Sequence, residues 1–170
     1  MPLTPVGREQ AARAAVFLRA RFAPARIVSS PMTRAHQTAE IIAAALALPI
    51  ELEPDLRERS LGDLHGHSYD AVLTTPGYGS LPYQEWRPPA GETLIEVRER
   101  AGPALAAIAR GSIGRDVVVV SHAGAIRSCW AQVEGDWHGV PDEDIPNCSV
   151  LVVPHDGVEF GEPELLLSSS

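Results

Sequence analysis

The chain has 170 residues, 45% of them hydrophobic, and this predicts one domain over residues 1–170 with a substantial core. It carries 14 basic residues, all of them arginine, against 22 acidic ones, so its formal net charge is −8. An acidic chain with no run of basic residues lacks the positive face that nucleic acids and anionic membranes require, and we expect neither as a partner.

The N-terminal part of the chain predicts two helices with a strand between them. Thr-Pro at 4–5 is typical of a capped helix start, and apolar residues at helical spacing follow it. A short strand is expected at 26–30. Ser-Pro at 30–31 repeats the capping pattern and predicts a second helix, whose first turn contains Arg34. A strand therefore leads directly into a helix N-terminus with an arginine beside it.

The middle of the chain predicts an edge strand, a long irregular stretch and a third helix. Apolar and acidic residues alternate between prolines at 49–54, as in an edge strand. Residues 55–69 have no sustained period, and 74–91 are rich in proline, glycine and aromatic residues, so both stretches should be irregular. Thr93 and the glutamate three residues later form the capping box of a helix with a buried apolar stripe.

Four consecutive valines at 117–120 predict a strand buried on both faces, as in the middle of a parallel sheet. Ser121 and His122 follow where this strand leaves the core, and Gly124 should permit a sharp turn into an apolar helix at 125–130. In open α/β sheets ligands bind at the carboxyl ends of the strands, where helix N-termini present unpaired amides to anions. His122 therefore stands where a phosphate would bind, although an ordinary packed loop histidine fits this motif equally well.

Two short strands at 147–153 and 164–167 complete the predicted elements. The few residues between them favour a hairpin, and hence an antiparallel edge. Together with the alternating strands and helices before them, they predict a three-layer α/β/α sandwich around a mostly parallel sheet.

Three polar side chains are expected at one edge of this sheet. Arg34 and His122 each follow a strand, and Glu58 lies in the irregular loop that could fold over the same edge. Arginine binds phosphate oxygens through paired hydrogen bonds, a histidine cation adds a donor and a charge, and a carboxylic acid can protonate a leaving oxygen. The set suits phosphoryl chemistry; the alternatives are a surface arginine, a packed histidine and a carboxylate paired with Arg57 or Arg59.

Five short motifs follow one another along nearly the whole chain. They are Leu-Thr-Pro-Val-Gly-Arg-Glu-Gln-Ala at 3–11, Ser-Ser-Pro-Met-Thr-Arg-Ala-His-Gln-Thr-Ala at 29–39, Leu-Arg-Glu-Arg-Ser-Leu-Gly at 56–62, Pro-Ala-Gly-Glu-Thr at 89–93 and Val-Ser-His-Ala-Gly at 120–124. In this order they resemble the successive motifs of the histidine phosphatase superfamily, which includes the cofactor-dependent phosphoglycerate mutases.

The resemblance implies a phosphoglycerate mutase-like fold and a role for each of the polar residues. Arg34 would be a phosphate-clamping arginine, and Glu58 would be the general acid and base. His122 would be the second histidine, which holds the phosphoryl group in the transition state, with Ala123 beside it in the phosphate-binding site. This chemistry would need neither a metal nor a cofactor.

One motif of the family has no counterpart in the 170 residues. It is the Arg-His-Gly that ends the family's first strand and carries the histidine that becomes phosphorylated, so an N-terminally truncated version of the fold is expected. A start assigned too far downstream is the preferred explanation, with a phosphate-binding pseudoenzyme and a divergent catalyst as the alternatives. The remaining loop histidines are expected to have no catalytic role: His65, His67, His138 and His155.

The predicted function is hydrolysis of a small phosphorylated metabolite, impaired in this chain by the absence of the nucleophilic histidine. A catalytically inactive protein that binds inorganic phosphate or a phosphorylated ligand is one alternative. A phosphoglycerate mutase is the other, which the short segment at 69–89 disfavours. An uncovered central strand edge would favour strand pairing between two chains in a homodimer.

Cysteine content and hydropathy predict the cellular setting. Cys129 and Cys148 lack the spacing of metal ligands, so neither a zinc site nor a disulfide framework is expected. No apolar run is long enough to span a bilayer. These features predict a cytoplasmic protein.

Overall fold

Helices and strands alternate along the chain in the computed structural model, which describes residues 1–137 and 145–167. Their order is α1 (Pro5–Arg21), β1 (Arg26–Ser29), α2 (Thr33–Leu46), β2 (Ile50–Leu52), α3 (Tyr69–Leu73), α4 (Leu94–Arg110), β3 (Val117–Val120), α5 (Ala123–Glu134), β4 (Val150–Val152) and β5 (Glu164–Leu167). Short 3-10 helices cover Pro54–Leu56 and Gly62–Leu64 in the irregular stretch. Of the α-helices and strands in the described residues, only the short α3 was not predicted from the sequence.

Two helix starts follow the capping signals in the sequence. The Thr4 hydroxyl accepts a hydrogen bond from the Gly7 amide at 3.0 Å, and α1 begins at the next residue, a proline. At α4 the Thr93 hydroxyl accepts from the Glu96 amide at 3.1 Å, while the Glu96 carboxylate accepts from the Thr93 amide at 2.9 Å. Both predicted starts are confirmed, because each signal is satisfied by residues no more than three positions away.

The start of α2 differs from the prediction. Its N-cap is Met32, with no side-chain cap, so Ser30 does not cap this helix. The Ser30 hydroxyl accepts instead from the Met32 amide at 3.3 Å and lies 2.8 Å from the imidazole of His122. The Ser30 hydroxyl therefore contacts the turn residue Met32 and the distant His122. The helix begins two residues later than the capping pattern predicts.

A three-stranded parallel sheet has the order β2-β1-β3, with β1 in the middle. In its register Ser29 at the end of β1 lies opposite Val120 at the end of β3. The Ser30 amide continues the pairing by donating to the Val120 carbonyl at 2.9 Å. The residues that follow β1 and β3 consequently begin side by side at the carboxyl edge of the sheet.

Apolar residues cover both faces of this sheet, which gives the predicted three layers. On one face Ile27 and Val120 pack with Leu18 of α1 and Ile42 of α2. On the other face Val28 packs with Leu56 and Ile108, the latter from α4; Val117 and Val119 join this second cluster. The alternation along β1 and β3 thus sends successive side chains into two different cores.

The valine strand is less central than the sequence suggested. Val120 is 8% exposed, but the three valines before it are only half-buried. Within the part of the chain that is described, β3 pairs with β1 alone, so its other edge leaves these valines partly exposed.

The predicted hairpin is confirmed as antiparallel, although it forms a sheet of its own. Val150 pairs with Leu167 and Val152 pairs with Glu164, with a register irregularity between Val150 and Leu151. This two-stranded sheet is separate from the parallel one among the described residues. No helix in residues 1–137 or 145–167 is both long and apolar enough to cross a membrane.

Candidate active site

His122 joins the end of β3 to the start of α5. It is the N-cap residue of α5, and its side chain is 5% exposed. Its Nε2 lies 2.8 Å from the Ser30 hydroxyl, which follows the neighbouring strand. The carboxyl ends of β1 and β3 are therefore linked side chain to side chain at the position where open α/β sheets bind ligands.

The environment of His122 favours its neutral form. Burial lowers its pKa most, and the guanidinium groups of Arg34 and Arg100 lower it further, to about 4. At neutral pH the imidazole is uncharged, whereas the sequence suggested a cation. The charge of Arg34 can therefore attract a phosphate anion to this edge, while that of Arg100 is paired with Glu92.

The lowered pKa of His122 predicts a specific acid sensitivity of the fold. The unfolded chain takes up this proton near pH 6.5 and the folded one only near pH 4, so stability should fall as pH decreases through that interval. The loss should approach about 3 kcal/mol when complete. Urea unfolding of the wild type and of His122→Asn at pH 7 and pH 4.5 measures it; an equal pH dependence in both proteins would contradict the assignment.

Glu58 reaches both of the turns that follow the two strands. Its Oε2 accepts a hydrogen bond from the Gly124 amide at 3.3 Å, in the first turn of α5. Its own amide donates to the sulfur of Met32 at 3.4 Å, at the start of α2. The Oε1 atom accepts from the Arg59 amide at 2.8 Å, so both carboxylate oxygens are held by backbone donors. The irregular loop folds over this edge of the sheet.

Gly124 has a role that the sequence did not reveal. It lies inside α5 and does not form a sharp turn before the helix. A Cβ atom at this position would lie 2.3 Å from Oε1 of Glu58 and 3.4 Å from Leu94. The absence of a side chain therefore gives the Glu58 carboxylate its place against the N-terminus of α5.

Arg34 and Ala123 are at the starts of the two helices that border the site. Arg34 is the second residue of α2 and is half-buried, near enough to His122 for its charge to lower the histidine pKa. Ala123 is the exposed first residue of α5. Amides in the first turn of a helix have no acceptor within the helix, so this one can bind an anion. Arg34, Glu58 and His122 thus come from three segments that meet at one edge.

Two arginines near Glu58 do not pair with its carboxylate through their side chains. The Arg57 guanidinium binds Glu92 at 2.9 Å and approaches Asp55 at 3.5 Å. The Arg59 side chain is 6% exposed, donates to the carbonyls of Glu92 and Trp86, and stacks on the Trp86 ring. The sequence alternative in which Glu58 forms an ion pair with either guanidinium is therefore wrong.

The other histidines of the described residues either contact a side chain near them in the sequence or are exposed to solvent. His36 approaches Glu40 on the surface of α2, and the ring of His155 packs edge-on against Phe160. His65 and His67 are exposed in the loop. His138 lies outside the described residues.

Neither a metal cluster nor a reactive thiol is found in residues 1–137 and 145–167. No group of three or more histidine, cysteine, aspartate or glutamate side chains there is arranged to hold a metal ion. Burial raises the pKa of both thiols, that of Cys129 to about 12. Both cysteines are protonated at neutral pH, so neither is a thiolate nucleophile.

Comparison with known sequences gives one family. Residues 1–163 match the histidine phosphatase superfamily (branch 1). Phosphoglycerate mutase-like protein 4 of Arabidopsis thaliana is 35% identical over 156 residues, which are 88% of this chain and 67% of that protein. Glucosyl-3-phosphoglycerate phosphatase of Mycolicibacterium vanbaalenii is 33% identical over 143 residues, 78% of this chain and 63% of that protein. Uncharacterized phosphatase PhoE of Bacillus subtilis is 30% identical over 162 residues, 95% and 77% of the two chains.

Solved structures resemble the fold over almost its whole length. Bacillus stearothermophilus YhfR superimposes with a TM-score of 0.84 at 28% identity, covering 95% of this chain and 82% of its own. A mycobacterial glucosyl-3-phosphoglycerate phosphatase in complex with inorganic phosphate gives a TM-score of 0.78 at 28% identity, covering 99% and 87%. The second of these neighbours is named as a phosphatase and holds inorganic phosphate.

Proposed function

The chain belongs to the histidine phosphatase superfamily, and on this basis we propose that it hydrolyses the phosphomonoester of a small phosphorylated metabolite. One observation supports the proposal beyond the family relationship. Glu58 contacts the first turn of α5, which follows His122, while His122 contacts Ser30, three residues before α2 begins. A carboxyl group, an imidazole and the helix that carries Arg34 therefore surround a single edge of the sheet.

Each group has a distinct task in this proposal. Arg34 binds two oxygens of the transferred phosphoryl group through its planar guanidinium. His122 donates a hydrogen bond to a third oxygen, and the Ala123 amide adds a backbone donor. Water attacks the phosphorus atom from the side opposite the bridging oxygen. As the new bond forms and the bond from phosphorus to the bridging oxygen breaks, Glu58 gives its proton to that oxygen, so the alcohol leaves neutral. Glu58 then takes a proton back from the dihydrogen phosphate that has formed.

The family relationship supports a phosphatase more than a mutase. Two of the three relatives described above are named phosphatases, and one of these names specifies glucosyl-3-phosphoglycerate as its substrate. The segment at 69–89 is short for the substrate-enclosing insertion of the mutases. Hydrolysis of p-nitrophenyl phosphate by folded protein tests the proposal, and no release above buffer would contradict it.

Binding of a phosphorylated ligand without turnover is the second candidate. It is favoured by the placement of the histidines. His36 contacts Glu40 and His155 packs against Phe160, so neither is seen to contribute a second imidazole beside His122. Calorimetry with inorganic phosphate, run beside the hydrolysis assay, separates the two functions. Binding with no hydrolysis of any phosphomonoester would establish the second.

Replacing Arg34 with methionine should weaken the binding of inorganic phosphate by about 10- to 100-fold, as expected for the loss of a charge-assisted, paired hydrogen bond. Titration calorimetry at constant ionic strength measures the change. Arg19→Met is the matched control, since Arg19 is exposed on α1 and its loss removes the same charge from the chain. Undiminished binding in Arg34→Met, or an equal loss in both variants, would exclude Arg34 from the site.

A further inference from the structure

The loop that carries Glu58 is wrapped around one guanidinium group. This acid loop, residues 55–60, presents three backbone carbonyls to Arg100 of α4. The Nη1 atom of Arg100 donates to the carbonyls of Asp55 at 2.6 Å and Arg57 at 3.0 Å, and its Nη2 donates to the carbonyl of Glu58 at 3.1 Å. A single side chain from α4 therefore fixes the backbone on both sides of the proposed acid.

Glu92 holds this guanidinium in place by accepting hydrogen bonds from it. Its two oxygens accept from Nε and Nη2 of Arg100, each at 3.0 Å. The same oxygens accept from the Arg57 side chain and from the Ser60 amide, both at 2.9 Å. Burial acts to raise the pKa of Glu92, but hydrogen bonds from Arg100 and Ser60 outweigh it and hold the pKa below its usual value. The two ends of the acid loop are thus tied to one ion pair.

Electrostatic attraction alone does not account for the many hydrogen bonds that the Arg100–Glu92 ion pair makes. The Arg100 and Glu92 side chains are 12% and 19% exposed, and burying such a pair costs desolvation that its attraction only roughly offsets. Arg100, however, donates five directional hydrogen bonds, of which two go to Glu92 and three go to backbone carbonyls of one loop. The geometry specifies where the loop lies, which is a requirement of a catalytic carboxylate.

We propose that Arg100, held by Glu92, is a positioning residue that fixes the acid loop so that the Glu58 carboxylate stays against the N-terminus of α5. The inference rests on the proposed role of Glu58. Arg100 also lies near enough to His122 to lower the histidine pKa, which places its charge beside the same edge. Arg100 acts through Glu58, so its loss should matter only while Glu58 is present.

A double-variant experiment in the full chain tests this dependence. Arg100→Met should lower kcat for p-nitrophenyl phosphate by about 10²-fold and leave KM within about threefold, the pattern of a misplaced catalytic group. In a Glu58→Gln background the same change should cost no more than about twofold, because the group it positions is already gone. Equal losses in the two backgrounds would show a general structural role and overturn the inference.

Hydrogen exchange gives a second readout that does not require turnover. The Arg59 and Gly124 amides donate to the Glu58 carboxylate, so their exchange should accelerate about tenfold or more in Arg100→Met, while the amides of β1 keep their wild-type rates. Unchanged exchange at these two amides would contradict the positioning role. An inactive wild type would count against the proposed function and leave this measurement decisive for Arg100.

Matched variants keep the experiment interpretable. Arg98→Met removes a neighbouring arginine of α4 that stacks on Trp137 instead of contacting the acid loop, and it should leave kcat and exchange unchanged. Glu92→Gln preserves the shape of the carboxylate and should show a smaller effect in the same direction. Arg100→Lys keeps the charge without the planar fork and should not restore kcat; full rescue by lysine would mean that charge, and not position, is what Arg100 provides.

Discussion

Replacing His122 with alanine is expected to lower kcat/KM for p-nitrophenyl phosphate by about 10³-fold, near the upper end of the losses measured when a transition-state donor is removed from an enzyme. The imidazole links the ends of β1 and β3, with its Nε2 2.8 Å from the Ser30 hydroxyl. Its loss removes a donor at the phosphoryl oxygens and opens the site to water. Steady-state kinetics and circular dichroism of the folded variant give the measurement.

The control for this variant is another histidine of the same chain. His36→Ala removes a partly exposed imidazole that approaches Glu40 on α2, and it should leave kcat/KM within about twofold. His122→Asn tests whether a polar group of smaller size can substitute, and it should remain at least about 10²-fold impaired. If His122→Ala lost less than about fivefold, His122 would not contact the transferred group.

Local sequence signals predicted the elements whose defining contacts are also local. The capping hydrogen bonds of Thr4 and Thr93 each join residues three positions apart, and both helices begin where these signals indicate. The two successive strand ends could likewise be placed at one edge, because parallel strands joined by helices bring their carboxyl ends together. For this reason the candidate positions of Arg34 and His122 were accessible from the sequence.

Contacts between distant segments account for what the sequence did not predict. Ser30 resembles the capping threonine of α1, yet its hydroxyl faces His122, 92 residues away. Arg100 looks like a surface arginine of an amphipathic helix, but its partners in the acid loop are 42 to 45 residues earlier. The helix α3 has only five residues, too few for a periodic signal. For Ser30 and Arg100 a tertiary contact outweighs the local pattern.

The burial of Arg59 is another feature that local sequence patterns did not predict. The sequence placed it in an irregular loop as a possible partner of Glu58, whereas its guanidinium packs against the rings of Tyr83 and Trp86 in the structure. Burial lowers its pKa, although Tyr83 and Glu58 oppose this effect. The segment at 74–91, irregular as predicted, is therefore attached to the residue next to Glu58, and no periodicity in that segment could have indicated it.

Replacing Gly124 with alanine should separate stability from activity at the same site. The new Cβ would lie 2.3 Å from Oε1 of Glu58, the far end of a flexible side chain, so the carboxylate can move away at little cost to the fold. Alanine is also favoured over glycine within a helix, by up to about 1 kcal/mol. The midpoint of thermal unfolding should stay constant or rise, while kcat/KM falls by about 10²-fold because the proposed acid is displaced.

The matched control is a second glycine in a helix of the same layer. At Gly102 in α4 the atoms nearest to an added Cβ belong to the Gln132 side chain, at 3.3 Å, and this side chain can shift by a few tenths of an ångström. Gly102→Ala should therefore leave activity unchanged. Combining Gly124→Ala with Glu58→Gln should cost no more than Glu58→Gln alone, because the clash acts through that carboxylate. Full activity in Gly124→Ala would mean that Glu58 does not work from its place against α5.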